Sequence, residues 1–262
     1  MAEPTIQLGG GNWAGKTDNL LGYYKEGERF YKQDFTFSRS TTGTYTDSDG
    51  YIQEMPYNLL QQSNNFDTTW TTTNATVLGG QSGIYDSSNA WKLSETTANS
   101  VHILRQSTTS VSNYTFSVYL KNGTKNKVML FDGDNNDGAK FNLETQSLHS
   151  YYSSEIDYKI EILSNGWARY SISPLNTSTN FRIYMLDDNY NLSYAGNINN
   201  YIYIQNAQLV KGTSAKTYFP TTTRLNMPRV DYLNNSNGSL ILEPQRTNLL
   251  NYSTDFSQWG NA

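Results

Sequence analysis

The sequence predicts an all-β protein: an antiparallel β-sandwich (jelly roll) preceded by an extended N-terminal anchor and a short β collar. The composition is the first reason, because 14% of the residues are aromatic, 21 residues are Tyr, and only 16% are charged. Tyr and Thr favour half-buried pleated surfaces, and clusters of Asn, Gly and Ser favour turns. The second reason is the pattern. Short alternating runs recur between turn residues, and no stretch carries the i, i+3, i+4, i+7 apolar stripe of a long helix.

Residues 1–34 form a separate N-terminal segment. Three consecutive glycines at positions 9–11 precede a lone Trp13, and such a segment cannot build its own core. One interpretation is a flexible terminus. The other is an anchoring segment that becomes ordered when it binds another protein. In the second interpretation the residues buried by that partner are Trp13, Leu20, Leu21, Tyr23 and Tyr24.

Residues 35–57 are predicted to form the short β collar. Residues 35–39 alternate between apolar and polar side chains, and turn residues at 47–50 are followed by Tyr51 and Ile52, which indicates a hairpin. A short hairpin is only marginally stable alone. We therefore expect its partners to be copies of the same segment in neighbouring chains.

Residues 58–220 form the predicted sandwich. Strand-like runs are separated by turn residues, and the clearest alternation lies at 114–120 and 201–209. Eight or more strands joined by turns in about 160 residues are typical of a two-sheet antiparallel sandwich. The predicted strands lie at 90–93, 101–106, 114–120, 127–131, 139–143, 159–163, 167–172, 181–186 and 201–209.

One stretch of the chain is repeated. Residues 50–70 recur as residues 238–259, with an offset of 188 at the glycines (238 − 50) and 190 at the Asn-Leu-Leu (248 − 58). An internal repeat indicates a modular protein. Residues 221–262 are therefore predicted to be a linker and the start of a second module, in the front part of a longer polypeptide. The matched pairs are Gly50 and Gly238, Pro56 and Pro244, Asn58 and Asn248, Leu59 and Leu249, Leu60 and Leu250, Ser63 and Ser253, Phe66 and Phe256, and Trp70 and Trp259.

Charge and composition exclude several classes of function. The net charge is −4, and no cluster of Lys and Arg with interleaved aromatics is present, so no nucleic-acid partner is predicted. The absence of Cys excludes disulfides and thiolate metal sites. The first residues lack the basic and apolar parts of a secretory signal. No window approaches the roughly 18–20 apolar residues of a membrane span, so no membrane insertion is predicted, and the chain is expected to be made in a cytoplasm.

The second copy of the repeat carries a family resemblance. Residues 242–250, LEPQRTNLL, followed by Tyr252, Ser253, Phe256 and Trp259, resemble the module-entry motif of bacteriophage virion proteins such as head and tail fibres. Residues 164–170 and 207–221 resemble the strand with a Gly-aromatic-x-Arg pattern and the closing strand of the same modules. The N-terminal region around Trp13 more loosely resembles fibre proteins of crAss-like phages. The first copy departs from the motif, because residues 54–58 lack the Gln-Arg-Thr.

The resemblance implies a structural protein of the virion, the N-terminal part of a head or tail fibre. Residues 1–34 would attach to capsid or tail proteins, the fibre would be a homotrimer, and jelly-roll modules similar to carbohydrate-binding modules would bind a host cell-surface glycan. Two alternatives remain open: a secreted bacterial carbohydrate-binding protein, and the non-catalytic front part of a depolymerase tailspike.

The sequence predicts no enzyme. Its two histidines are His102 and His149, and His102 is predicted to be a half-buried strand residue. No nucleophile-elbow, phosphate-loop or H-E-x-x-H motif occurs. The neighbours Asp187 and Asp188 do not suit a glycosidase pair, because adjacent strand residues point to opposite faces.

Two candidate binding sites follow from residue type. Residues 132–138 resemble a calcium loop, with Asp132, Asp134 and Asn136 as ligands. A plain hairpin turn is favoured, because positions six and twelve of an EF-hand loop fall on Asp137 and Leu143; a structural calcium is the one possible cofactor. The candidate carbohydrate-binding residues combine aromatic rings with polar groups around one strand end, and the alternative is a core Tyr184 beside an ordinary polar loop. They are Tyr184, Asp187, Asp188, Asn189, Tyr190 and Tyr194.

Overall fold

A computed structural model of the chain describes most of residues 44–241. The described ranges are 44–47, 49–54, 58–84, 88–173, 177–216, 218, 221, 229–233 and 239–241, together with the strand segments of the first 31 residues. Within these ranges no helix is long and apolar enough to cross a membrane.

The described residues form twenty-one β-strands and one short 3-10 turn at Ser164–Gly166. The strands are β1 Gln7–Leu8, β2 Asn12–Trp13, β3 Tyr24–Glu26, β4 Arg29–Tyr31, β5 Thr44–Thr46, β6 Ile52–Glu54, β7 Thr71–Thr73, β8 Ala75–Gln81, β9 Ala90–Glu95, β10 Asn99–Val111, β11 Tyr114–Asn122, β12 Lys127–Asp132, β13 Asp137–Asn142, β14 Ser147–Tyr151, β15 Asp157–Ile162, β16 Ala168–Ser173, β17 Ser178–Met185, β18 Ser193–Ala195, β19 Tyr201–Lys211, β20 Arg229–Asp231 and β21 Ser239–Ile241.

Two antiparallel sheets pack face to face, which confirms the predicted β-sandwich. The seven-stranded sheet has the order β14-β13-β12-β17-β10-β18, and β7 also pairs with β10. The six-stranded sheet has the order β15-β16-β11-β19-β9-β8. The central strands β9-β19-β11-β16 and β10-β17-β12-β13 interleave along the chain, which is the double Greek-key order of a jelly roll.

The core lies between the two sheets and is built from the alternate residues of each strand. Leu104 and Ile183 point inward from the seven-stranded sheet, while Phe116 and Tyr170 point inward from the six-stranded sheet, and all four are buried. The rings of Phe116 and Phe181 bridge the sheets with centroids 5.6 Å apart. Each fully buried side chain of this size stabilises the fold by about 1.5–3 kcal/mol.

All nine predicted strands are present, as β9–β13, β15–β17 and β19. The sequence did not predict β7, β8, β14 or β18. These four lie at the edges of the sheets, where one side of the strand is unpaired and the apolar alternation is weak. Two consecutive glycines in β8 and three consecutive threonines in β7 gave no period-two pattern to recognise.

The two repeated hairpins lie beside each other. β5 pairs with β6, and β20 pairs with β21, so a short antiparallel hairpin leads into each copy of the repeat, and only its second strand lies within the copy. The backbone N–H of Tyr232 donates to the carbonyl oxygen of Thr46 at 3.0 Å. The collar hairpin thus has a partner within its own chain, namely the later copy of the same element.

The entry segment that follows the collar closes one end of the sandwich. Asn58 is buried; its Nδ2 donates to the carbonyl of Ala207 at 3.1 Å, and its Oδ1 accepts from the backbone N–H groups of Leu60 and Leu209 at 3.0 and 2.9 Å. The Ser63 hydroxyl accepts from the backbone N–H of Thr221 at 2.8 Å. Every repeated residue from 58 to 70 is buried. The first copy of the repeat therefore acts as a cap on the end of the sandwich. These residues are Asn58, Leu59, Leu60, Ser63, Phe66 and Trp70.

Candidate ligand-binding face

The outer face of the seven-stranded sheet carries a second apolar cluster. Alternate residues of a strand point to opposite faces. Leu104, Leu130 and Ile183 fill the core, so their strand neighbours point outward. Those neighbours are nevertheless buried: Ile103, Met129, Phe131, Tyr184 and Leu186 form a separate cluster. Other parts of the chain therefore cover much of this face.

The loop of residues 187–192 provides part of that cover. The Asp187 carboxylate holds the loop by accepting from the backbone N–H groups of Asn189 and Asn191 at 2.9 and 2.7 Å, and from Asn191 Nδ2 at 2.9 Å. Partial burial opposes the charge, but the hydrogen bonds from Asn191 and Asn189 lower the pKa of Asp187 below its ordinary value. The loop places Tyr190 and Leu192 against the outer cluster.

Tyr190 forms a flat aromatic pair with His149 of β14. The two rings are parallel within 4°, with centroids 3.5 Å apart. Lys127 Nζ lies 5.0 Å from the centroid of the Tyr190 ring, and Lys140 Nζ donates to the Tyr190 carbonyl at 3.1 Å. The loop therefore brings an aromatic pair and two cations to one end of the outer face.

Tyr152, which directly follows the edge strand β14, is an accessible aromatic ring on this face. Its ring packs edge-on against Phe131, with centroids 5.2 Å apart, and 38% of the residue is exposed. Lys140 Nζ lies 5.7 Å from the centroid of the Tyr152 ring. A Cβ on Gly138 would lie 2.8 Å from the Phe131 ring and 2.7 Å from the Leu130 carbonyl, so this packing requires a glycine.

Two arginines occupy the other end of the face. Arg105 of β10 and Arg182 of β17 are direct cross-strand partners. Arg182 Nε donates to Asn180 Oδ1, and its Nη1 donates to the Tyr184 hydroxyl, both at 3.1 Å. Its guanidinium carbon lies 5.7 Å from the centroid of the Phe131 ring. The outer face thus combines aromatic rings with hydrogen-bond donors on a flat sheet surface.

The structure separates the six candidate carbohydrate-binding residues. Tyr184 is buried in the outer cluster with its hydroxyl engaged by Arg182, and the Asp187 carboxylate is used within its own loop. Asp188 and Asn189 are exposed on that loop, and Asp188 lies 3.8 Å from Lys125 Nζ. Of the aromatic residues predicted from the sequence, Tyr190 is the one placed at the open part of the face.

Tyr194 lies away from the face, in a buried polar cluster. Its hydroxyl donates to Glu95 Oε1 at 2.6 Å, and burial, together with this bond, raises the pKa of Tyr194. The ring centroid lies 4.8 Å from that of His102. His102 is fully buried rather than half-buried, because Tyr194 and Gly196 pack against it. Its Nδ1 bonds the carbonyl of Asn74 at 2.7 Å.

The residues predicted to hold calcium form a hairpin turn. Asp132 accepts from the Ser178 hydroxyl, from the backbone N–H of Asp134 at 3.1 Å and from Asn135 Nδ2 at 2.9 Å. Asp134 Oδ2 accepts from the backbone N–H and hydroxyl of Thr179 at 2.6 Å, and Asn136 takes the positive φ of 61° that the turn needs. In the described part of the chain, no group of three or more His, Asp or Glu could hold a metal ion. A calcium site here stays a prediction.

The predicted anchoring residues fall largely outside the described ranges. Trp13 belongs to β2 and Tyr24 to β3, while Leu20, Leu21 and Tyr23 lie outside the described residues. Their anchoring role stays a prediction.

Sequence reasoning missed Tyr152, His149, Arg105 and Arg182. Nothing distinguishes these residues locally, since each becomes significant only through its neighbours across the sheet. The alternation in β10 and β17 was sufficient to place both arginines on outward positions.

The chain matches no protein-family model, and no curated protein is significantly similar to it. The chemistry of the outer face therefore has to be inferred from its own residues. A sugar ring has an apolar C–H face and a rim of hydroxyl groups, so an exposed aromatic ring beside charged and amide donors suits it. The class of protein that the fold defines is an antiparallel β-sandwich, and one of its outer faces carries aromatic rings beside hydrogen-bond donors.

Proposed function

We propose that the sandwich is a non-catalytic carbohydrate-binding module in the front part of a bacteriophage head or tail fibre. The observation that carries the binding role is the exposed Tyr152 ring beside the Tyr190–His149 pair, on a face lined with donors. Tyr presents a large rigid surface with a polar edge, which suits ligands that are apolar on one side and hydroxylated on the other. The ligand is a glycan of the host cell surface.

The fibre role rests on the modular repeat and on the resemblance of its second copy. Three large apolar side chains are exposed around the two hairpins: Tyr51 and Ile52 in the first, and Leu233 just after β20 of the second. Exposed apolar groups that lie together are typical of a surface that another chain covers. In this proposal three copies of the collar associate, the N-terminal residues bind capsid or tail proteins, and the protein is located in the virion.

Trimerisation compensates for weak individual sites. An open sheet face contacts only one side of a glycan, so each site on its own binds weakly. Three modules on one fibre convert the second and third binding events into intramolecular ones.

A glycan array with matched tyrosine variants tests the binding role. We expect Tyr152→Ala to lower binding by about tenfold or more, and Tyr152→Phe to retain most of it, because the ring supplies the contact. Tyr158→Ala is the control for the loss of a packed tyrosine ring, because Tyr158 is 42% exposed on β15 of the other sheet and its ring contacts Phe141 and Tyr151 rather than the outer face. No binding by the unaltered chain to any glycan, or equal loss in both alanine variants, would refute the role.

Electron microscopy of intact particles tests the fibre role. Gold-labelled antibodies against the chain should mark appendages of the particle. Label confined to bacterial cells or to their culture medium would favour the secreted bacterial protein.

A further inference from the structure

We propose that the outer face of the seven-stranded sheet takes an anionic polysaccharide, bound through its carboxylate or phosphate groups by Arg105 and Arg182. This inference rests on the proposed function, since it names the class of glycan that the same face would bind. The Arg105–Arg182 juxtaposition and the distribution of charge around it are the supporting observations.

The arginine pair is unfavourable unless something bridges it. Arg105 and Arg182 are direct cross-strand partners and both point outward, because Leu104 and Ile183 beside them fill the core. Like charges directly opposite each other destabilise a sheet. An anion placed between the two guanidinium groups reverses this effect, because each guanidinium can bind a carboxylate or phosphate with two parallel hydrogen bonds.

The rest of the face is cationic as well. Four cations point outward from β10, β12, β13 and β17, and the other outward residues of these strands are apolar, Ser, Asn, Gly or Tyr. Such a face stands out on a chain with a net charge of −4. A surface lined by one sign of charge attracts ligands of the opposite sign. The four cations are Arg105, Lys127, Lys140 and Arg182.

Nearby carboxylates do not neutralise these cations. Asp134 and Asp187 lie in turns at the two ends of the face and accept hydrogen bonds from Thr179 and from Asn189 and Asn191. Asp188 lies nearest Lys125, at 3.8 Å. Among the described residues, the ion pairs involve Lys125, Lys159 and Arg169, and none involves the four cations of the outer face.

The spacing of the cations favours a polymer. Arg182 is in register with Phe131, and Lys127 precedes Phe131 by four residues on β12. At about 3.3 Å per residue, the arginine pair and Lys127 are about 13 Å apart along the strands. A single small anion cannot reach both, whereas a chain of sugars with repeated acidic groups can. The Tyr152 ring lies near Lys140, where a sugar ring between two acidic groups can stack.

An acidic peptide fits less well. Extended peptides bind sheets mainly by adding a strand at a free edge, where backbone groups are unpaired. The cations here lie on the face, and β10, β12, β13 and β17 are each paired on both sides. The face offers side-chain donors and aromatic rings rather than backbone partners.

Binding to polysaccharides with and without their charge tests the proposal. The probes are polygalacturonate and hyaluronate, each with its fully methyl-esterified form, and a glycerol teichoic acid. We expect the unaltered chain to bind at least one charged probe, with an affinity that falls as salt rises. Esterification should lower that affinity by about tenfold or more.

Matched variants distinguish the contribution of the arginine pair to binding from the contribution of the net charge of the chain. Arg105→Gln and Arg182→Gln should each weaken binding of the charged probe by about tenfold. The control K121Q/K159Q removes two positive charges from the six-stranded sheet and should change binding less than twofold. Arg105→Gln should leave the melting temperature unchanged or higher, because it removes a like-charge neighbour. A lower melting temperature would assign Arg105 a structural role.

Each contrary outcome has a distinct meaning. Equal binding to charged and esterified probes, or binding on the array to neutral glycans alone, overturns this inference and leaves the proposed function intact. Failure to bind any glycan overturns both. Binding to poly-L-glutamate as tight as to the polysaccharides shows a general anion surface and overturns the glycan assignment.

Discussion

The two outer faces of the sandwich use arginine in opposite ways. On the six-stranded sheet, Arg169 is only 4% exposed and donates to the Lys216 carbonyl at 2.8 Å, to Gln208 Oε1 at 2.6 Å and to Ser117 Oγ at 3.0 Å. It holds the segment that follows β19 against the sheet. On the seven-stranded sheet, Arg105 and Arg182 face each other, and neither forms an ion pair with a carboxylate in the described part of the chain.

The comparison shows which arginine belongs to the fold. The six-stranded face is closed by its own chain: Ser173 donates to the carbonyl of Thr213, and Thr115 to that of Gly212, at 3.1 and 2.7 Å. The Gly-aromatic-x-Arg pattern at 166–169 therefore serves this closure, with Trp167 also buried there. The other outer face carries cations that form no ion pair among the described residues, which is the reason for proposing that the ligand binds there.

The largest loss of stability is expected from replacing Arg169 on the outer face of the six-stranded sheet. Arg169→Met removes three hydrogen bonds, two of them to the buried side chains of Gln208 and Ser117. We expect the free energy of unfolding to fall by about 3–5 kcal/mol. Urea denaturation measures the change, and Arg182→Met, which loses bonds to less buried groups, is the control. Equal effects of the two variants would contradict the distinction between the faces.

Asn58→Ala tests closure at the end of the same sheet. The change leaves the buried N–H of Leu209 and the carbonyl of Ala207, both on β19, without their partner. We expect a loss of about 2–3 kcal/mol, since unsatisfied buried groups each cost about 1–3 kcal/mol. Denaturant unfolding provides the measurement, with the exposed Asn189→Ala expected within about 0.5 kcal/mol of the unaltered chain. A neutral Asn58→Ala would refute the role of the repeated segment as a cap.

Gly138→Ala tests the outer face of the seven-stranded sheet. The added methyl group would overlap the Phe131 ring and the Leu130 carbonyl, so strand β13 has to shift and Tyr152 loses its support. Overpacking of this kind costs about 1–3 kcal/mol. We expect weaker glycan binding together with a lower melting temperature. Gly212→Ala would not be a clean control, since Gly212 has a φ of 104°; Ser150→Ala on the neighbouring β14 is a better one.

The smallest expected effect is a loss of folding stability at high pH. Burial raises the pKa of Tyr170, and burial with the Glu95 hydrogen bond raises that of Tyr194. Because the pKa values are higher in the folded chain, the stabilisation is complete below the unfolded value of about 10 and is lost as pH rises above it. Ultraviolet titration should show these two tyrosines ionising only on unfolding. In the Tyr194→Phe variant, one fewer tyrosine should ionise at the pH of unfolding. A titration curve identical to that of the unaltered chain would contradict the raised pKa of Tyr194.

Much of the fold was predictable because strand alternation and turn chemistry are local. The nine main strands and the sandwich class follow from patterns within about ten residues. The collar strand predicted at 35–39 lies outside the described residues, and the described collar hairpin pairs Thr44–Thr46 with Ile52–Glu54. The candidate ligand-binding face was harder to predict from the sequence. Tyr184 is buried on the outside of a sheet, which alternation alone cannot anticipate, because it depends on residues 187–192 folding back over the strand.

The sequence by itself determined which residues alternate, where the chain turns and that one segment is repeated, since these features can be read along the chain. Only the tertiary structure decided which outer face brings two arginines together. Arg105 and Arg182 are 77 residues apart in sequence (182 − 105) and become neighbours because β10 and β17 pair in one register. Register is set by the packing of the whole core, since a slip of one residue would exchange every inward and outward side chain.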